Sequence, residues 1–134
     1  MSRNYHHGSH SKYLLQYHIV FATKYRKKLL VDEIKDDIKQ IMYDISNEKD
    51  FTIKAMETDV DHIHLMIDAS PVKSVYLMVN LLKSMSTNRI YKKHRMFLKG
   101  HFWKENTFWS DGYFVTTIGD ASPETIKKYI DTQG

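Results

Sequence analysis

Hydrophobic and polar positions along this chain repeat with two different periods. Residues 13–23, YLLQYHIVFAT, alternate, so Leu15, Tyr17, Ile19 and Phe21 share one face, as on a strand with one side buried. From Asp32, whose short carboxylate suits an N-cap, Ile34, Ile38, Ile41, Met42 and Ile45 follow helical spacing to about residue 47. Strand character returns in FTIKAMET, residues 51–58, and in HIHLMID, residues 62–68, with the polar DVD between them as a tight connection. After Ser70 and Pro71, the positions of Val72, Val75, Tyr76, Val79 and Leu82 mark a second helix running to about residue 92. GYFVTTIG, residues 112–119, reads as a fourth strand closed by glycine. Residues 122–133, SPETIKKYIDTQ, open with Ser122 at an N-cap and Pro123 at the first helical position, a strong helix start. The order is β-α-β-β-α-β with a final helix. It predicts an α+β, ferredoxin-like split βαβ: an antiparallel sheet, helices on one face, and the other face free.

Length and composition narrow the class. At 134 residues the chain is expected to form a single domain over 1–134. It has no run of about 20 apolar residues that could cross a bilayer, and residues 1–13 have no apolar signal core. With no cysteine, disulfides and thiolate metal sites are excluded, and a cytoplasmic location with no membrane partner is expected. Twenty Lys and Arg against 16 Asp and Glu leave a net charge of +4, which permits a nucleic-acid partner without requiring one. The distribution says more. TKYRKK (23–28) and RIYKKHRMFLK (89–99) interleave cations with aromatic rings, a combination suited to phosphate contact with base stacking, though also to a plain solvated face. Lys24, Arg26, Lys27, Arg89, Lys92 and Lys93 are the candidate DNA-backbone contacts.

The chemistry concentrates around two histidines. On a strand, residues two apart project from the same face about 6.6 Å apart, so His62, His64 and Met66 point one way and Ile63, Leu65 and Ile67 the other. The aliphatic face is the core face, which turns the imidazoles to the open side, where both can bind one divalent ion. A bare His-x-His also suits an exposed strand pair, and two ligands need a third from elsewhere. Tyr129 and Gln133 lie four apart on one face of the last helix, beside an Ile126 and Ile130 stripe that can dock it. Of nine tyrosines, only Tyr129 has a potential ligand at i+4 on a short terminal helix. Tyr17 and Tyr113 suit sheet packing, Tyr43 and Tyr76 fall in the covering helices, and Tyr25 and Tyr91 sit in the basic clusters. Asp61 suits either the hairpin turn or support of a ligand imidazole. His18 projects from the same face as Gln16, toward the histidine pair.

Together, YHIVFATKYRKKLL (17–30), DHIHLMI (61–67), FWSDGYFVTTIG (108–119) and YIDTQ (129–133) resemble the single-tyrosine HUH transposases of the insertion-sequence 200/605 family. The resemblance spans nearly the whole chain in the family's order. It implies a prokaryotic, homodimeric enzyme that cuts and rejoins single-stranded DNA at imperfect hairpins flanking a mobile element. His62 and His64 match the pair that binds a divalent metal, Mg2+ or Mn2+. Tyr129 matches the nucleophile that forms a 5′-phosphotyrosine, Gln133 the third metal ligand, and Gly119 the hinge of the tyrosine helix. In several members that helix serves the partner's site. A domesticated nuclease acting on host repeat hairpins, and a non-catalytic single-strand-binding module, are the alternative readings.

Overall fold

The predicted order β-α-β-β-α-β forms, preceded by two short strands that the periods do not predict. The computed structural model describes residues 6–7, 12–13, 15–70, 72–117 and 130–132. In chain order these give β1 (His6–His7), β2 (Lys12–Tyr13), β3 (Leu15–Ala22), a 3-10 turn (Lys24–Arg26), α1 (Asp32–Glu48), β4 (Thr52–Asp59), β5 (His62–Ala69), α2 (Val75–His101) and β6 (Phe114–Thr117). β1 and β2 form a separate two-residue ladder, and the other four strands make one antiparallel sheet in the order β4-β5-β3-β6. The first and third of its strands in sequence are thus central, the order of the split βαβ architecture.

One face of this sheet is dry. Ile19 and Phe21 of β3 and Ile63, Leu65 and Ile67 of β5 are fully buried against Ile34, Ile38, Met42 and Ile45 of α1 and Met78, Val79 and Leu82 of α2. Each such aliphatic side chain contributes roughly 1.5–3 kcal/mol on burial, so the helical layer fixes which face of β5 is free for polar work. The β4–β5 register shifts between Ile53 and Ala55, a bulge with Lys54 as the extra residue. Because of it, Ile53 and Met56 are both buried although three apart. Beyond the bulge, Glu57 stands opposite His64 and Asp59 opposite His62. Residues directly opposite one another share a face, so two carboxylates join the histidine side.

Element ends differ from expectation in α1, α2 and β6. Val31, not Asp32, occupies the cap position of α1; Asp32 is its first residue, with φ 50°, and no side chain caps the helix. A short polar side chain tolerates that left-handed backbone better than most. α2 starts at Val75 because the Ser74 hydroxyl accepts the Leu77 N–H at 3.0 Å, which leaves Val72 ahead of the helix and exposed. It then continues nine residues past 92, since Ile90, Tyr91 and Leu98 hold an apolar stripe inside the basic cluster. The helix kinks at His94 (φ −132°, ψ 38°), whose Nε2 lies 2.6 Å from Asp37 of α1. β6 starts two residues later than predicted, with Gly112 and Tyr113 ahead of it. Of the expected terminal helix, 130–132 is helical and 122–129 and 133 lie outside the described residues, as do 118 and 119.

Candidate active site

The β3–β5 register sets His18 against Met66, Val20 against His64 and Ala22 against His62, so three histidines occupy the face away from the helices. Val20 and Ala22 are buried there, whereas His18, His62 and His64 are half-buried and Met66 is exposed. The His62 and His64 ring centres are 5.0 Å apart, and those of His18 and His64 5.4 Å.

Both members of the pair are held by one ring nitrogen. His62 Nδ1 lies 2.9 Å from Asp61 Oδ1 and donates its proton there. His64 Nδ1 lies 3.2 Å from His18 Nε2. With the proton on His64 Nδ1 and His18 accepting, each of the pair keeps its Nε2 lone pair for a ligand. Burial lowers the affinity of His18 for a proton, against the pull of Glu57. Burial likewise lowers that of His64, helped by His62 and His18 and opposed by Glu57 and Asp59. Neutral imidazole, the form that ligates metal, is therefore favoured at both positions.

Asp61 is anchored from both ends. Its carbonyl accepts the Thr23 N–H at 2.9 Å and the Thr23 hydroxyl at 3.2 Å, and its side chain is buried between His62 and Arg26. Arg26 Nε donates to Asp61 Oδ2 at 3.1 Å. Burial pushes the carboxyl up, but the His62 hydrogen bond and the Arg26 guanidinium together outweigh it and hold Asp61 below its ordinary value. Asp61 is thus an anionic brace for His62 as well as a hairpin residue.

A second brace fixes the segment leading into β6. Lys83 of α2 donates to the carbonyls of Ser110 (2.7 Å), Asp111 (3.1 Å) and Gly112 (2.7 Å), with its amine 5.3 Å from the Phe21 ring centre. Burial pushes this lysine down to about 8, while three carbonyl acceptors favour the ammonium. Trp109 donates its indole N–H to Ser86 at 2.9 Å, and Thr23 bridges to Trp109 across the sheet end. Lys83 carried no signal in the sequence beyond its place in a helix.

The predicted DNA contacts separate into two groups. Lys24, Arg26 and Lys27 lie together on the turn after β3, around Tyr25, which is 56% exposed. Lys24 is 3.8 Å from the exposed Asp111, and the Lys27 amine sits 5.6 Å from the Phe102 ring centre. Arg89 instead makes a two-pronged pair with Glu48 of α1 (3.0 and 2.7 Å), and Lys93 reaches Asp37 at 3.4 Å, both in the helical layer. Lys92 is exposed. Tyr129, Gln133 and Gly119 lie outside the described residues; next to Tyr129, Ile130 is 6% exposed, and Asp131 Oδ1 is 3.6 Å from Arg26 Nη1. Among the described residues no group of three or more His, Cys, Asp or Glu side chains could hold a metal ion. Two neutral imidazoles are donors of a type that suits a divalent ion, and by themselves they do not complete a site. No helix among the described residues is long and apolar enough to cross a membrane.

This split βαβ sheet is the fold of a class of transposases, as comparison with known proteins shows. Residues 11–133 match the family described as transposase IS200 like. The ISDra2 transposase TnpA of Deinococcus radiodurans is 33% identical over 121 residues, 90% of this chain and 85% of that protein. The transposase for insertion sequence element IS200 of Salmonella typhimurium is 31% identical over 125 residues, covering 93% and 80%. A crystal structure of a putative transposase from D. radiodurans superposes with a TM-score of 0.88 at 33% identity, covering 96% of this chain and 97% of that one. A REP-associated tyrosine transposase bound to a REP hairpin shares the fold, with a TM-score of 0.55 at 12% identity, covering 99% and 68%. The chain belongs to the IS200-like transposases of the insertion-sequence 200/605 family.

Proposed function

We propose that this chain cuts and rejoins single-stranded DNA at the hairpin-bearing ends of a mobile element, as a homodimer, through a 5′-phosphotyrosine formed on Tyr129. The observation that carries this reading is the pair of braces, Asp61 on His62 and His18 on His64, which occupy both Nδ1 atoms and leave the Nε2 atoms as the nitrogens available to a ligand. An exposed structural histidine pair needs neither brace. His62, His64 and Gln133 are the proposed ligands of Mg2+ or Mn2+, which when bound supplies positive charge against a non-bridging phosphate oxygen and orients the scissile bond.

Tyr129 attacks phosphorus, the tyrosine O–P bond forms, and the bond to the 3′ oxygen breaks. A phenol with a pKa of about 10 is mostly protonated at neutral pH, so its proton leaves as the bond forms and the departing 3′ oxygen takes one up. In the reverse direction a 3′-hydroxyl from another strand attacks, the tyrosine is released, and the strands join without ATP. Lys24, Lys27 and Lys92 are the proposed phosphate contacts, with Tyr25 available for stacking on a base. Arg89 and Lys93 remain weaker candidates, since each already neutralises a carboxylate of α1.

The test is incubation with a labelled hairpin-bearing single strand and Mn2+, followed by denaturing electrophoresis. Wild type gives a denaturation-resistant complex that EDTA and His64→Ala remove, while Tyr129→Phe removes it and still binds the hairpin. An adduct surviving in Tyr129→Phe refutes the nucleophile, and wild-type binding without any adduct favours a non-catalytic binding module.

A further inference from the structure

We propose that Arg26 is a positioning residue that ties the C-terminal helix, through Asp131, to the carboxylate that orients His62, so that seating that helix and aligning His62 are coupled. This inference rests on the functional reading above and extends it to a residue that charge alone assigns to DNA contact.

The geometry is a continuous run of polar contacts. Arg26 Nη1 is 3.6 Å from Asp131 Oδ1, and Arg26 Nε is 3.1 Å from Asp61 Oδ2. The other oxygen of Asp61, Oδ1, is 2.9 Å from His62 Nδ1. Two different nitrogens of one rigid, planar guanidinium serve the two carboxylates, so both contacts exist at once, a geometry that the point charge of a lysine reproduces poorly. Asp131 is two residues from both Tyr129 and Gln133 in the sequence, and Ile130 beside it is 6% exposed, so the helix end is packed as well as paired.

The backbone supplies an independent observation. Tyr25 and Arg26 both adopt left-handed conformations, φ 59° and 52°. Side-chain-bearing residues do this rarely, and two in succession persist only where the surroundings over-determine them. Here they are over-determined: Thr23 bonds to the Asp61 carbonyl, Lys24 N–H donates to Phe108 O at 2.8 Å, and Tyr25 donates to Glu105 at 3.2 Å. A phosphate-binding arginine on a mobile side chain needs no such turn. Its charge would also not be shared between two carboxylates, as that of Arg26 is.

The experiment uses the full chain with Arg26→Gln, Asp131→Asn, the double variant, and Arg26→Lys. Three quantities are read: hairpin affinity at several salt concentrations, the rate of covalent adduct formation at saturating DNA and Mn2+, and amide hydrogen exchange of the peptide covering 122–133. Coupling predicts that Arg26→Gln and Asp131→Asn each speed exchange of that peptide and slow the adduct about fivefold or more, with hairpin affinity unchanged. It also predicts that Asp131→Asn adds little in the Arg26→Gln background and that Arg26→Lys recovers only part of the rate. Loss of hairpin affinity with a reduced salt slope, at an unchanged saturated rate, makes Arg26 a DNA contact and overturns the proposal. So does exchange that neither variant alters. If wild type forms no adduct at all, the functional reading fails on its own, and the exchange cycle still decides the link between Arg26 and the helix.

Discussion

Asp61→Asn preserves the side chain's size and shape while removing its charge, which isolates the hold of the carboxylate on His62. In the wild type, one oxygen receives the His62 Nδ1–H at 2.9 Å and the other the Arg26 Nε–H at 3.1 Å. An amide offers a single acceptor, so one of these donors must face an NH2 group. If the amide oxygen turns to His62, Arg26 is released; if it turns to Arg26, His62 loses its orienting partner and its tautomer. Partners that orient a ligating histidine typically contribute 10–100-fold in metal affinity, about 1.4–2.7 kcal/mol at tenfold per 1.4 kcal/mol. The low end belongs to the first rotamer and the high end to the second. The fold should survive, because the amide keeps the carboxylate's size and one acceptor, and the Arg26 side chain is 35% exposed, so water can take up the donor that is released. The assay is a Mn2+ titration of both proteins, read by electron paramagnetic resonance for free ion and by adduct formation on denaturing gels. The expected result is half-saturation displaced 10–100-fold to higher Mn2+, with the rate recovering toward wild type at saturation. Folded Asp61→Asn that binds Mn2+ as tightly as wild type would refute the reasoning.

Other perturbations address the scaffold. Leu65→Ala, at a fully buried position between the histidines' strand and the helices, should cost about 2–5 kcal/mol in urea unfolding; a loss under 1 kcal/mol would mean the helical layer does not fix that face. Lys83→Met removes the donor shared by three carbonyls, and unsatisfied acceptors cost about 1–3 kcal/mol, so thermal unfolding should come several degrees earlier. Stability should also fall as pH drops below about 6.5, the ordinary imidazole value. His18 and His64 have lowered values in the fold, so the unfolded chain takes up protons first, and the loss begins as pH falls through that value. Urea midpoints between pH 7.5 and 5.5 check the sign, and His18→Asn should flatten the dependence.

Much of this was legible in the order of periods along the chain. Two-residue alternation around Ile19 and Phe21, and around Ile63, Leu65 and Ile67, carries the sheet's buried face, and the same alternation assigns His62 and His64 to the other side. What escaped is what depends on partners remote in sequence. The basic stretch 89–99 looked like surface because its charges mask Ile90, Tyr91 and Leu98, which continue α2. Arg26 looked like one cation among several, since Asp61, its first carboxylate partner, lies 35 residues on. Alternation puts His18 on the open face, but only the strand register brings its Nε2 beside His64. Lys83 resembles any helical lysine until the backbone of 110–112 is brought over it.

The extra residue at Lys54 has a consequence for how β4 can change. Were the strand to pair without a bulge over the same number of residues, every later side chain would turn to the opposite face, sending Glu57 and Asp59 into the oily layer beneath α1 and lifting Met56 into water. Excising Lys54 itself would leave those faces as they are, because Ala55 would then follow Ile53 in regular alternation. What β4 inherits is therefore a residue count matched to a looped-out position, and only that match leaves acidic side chains standing across from the imidazoles.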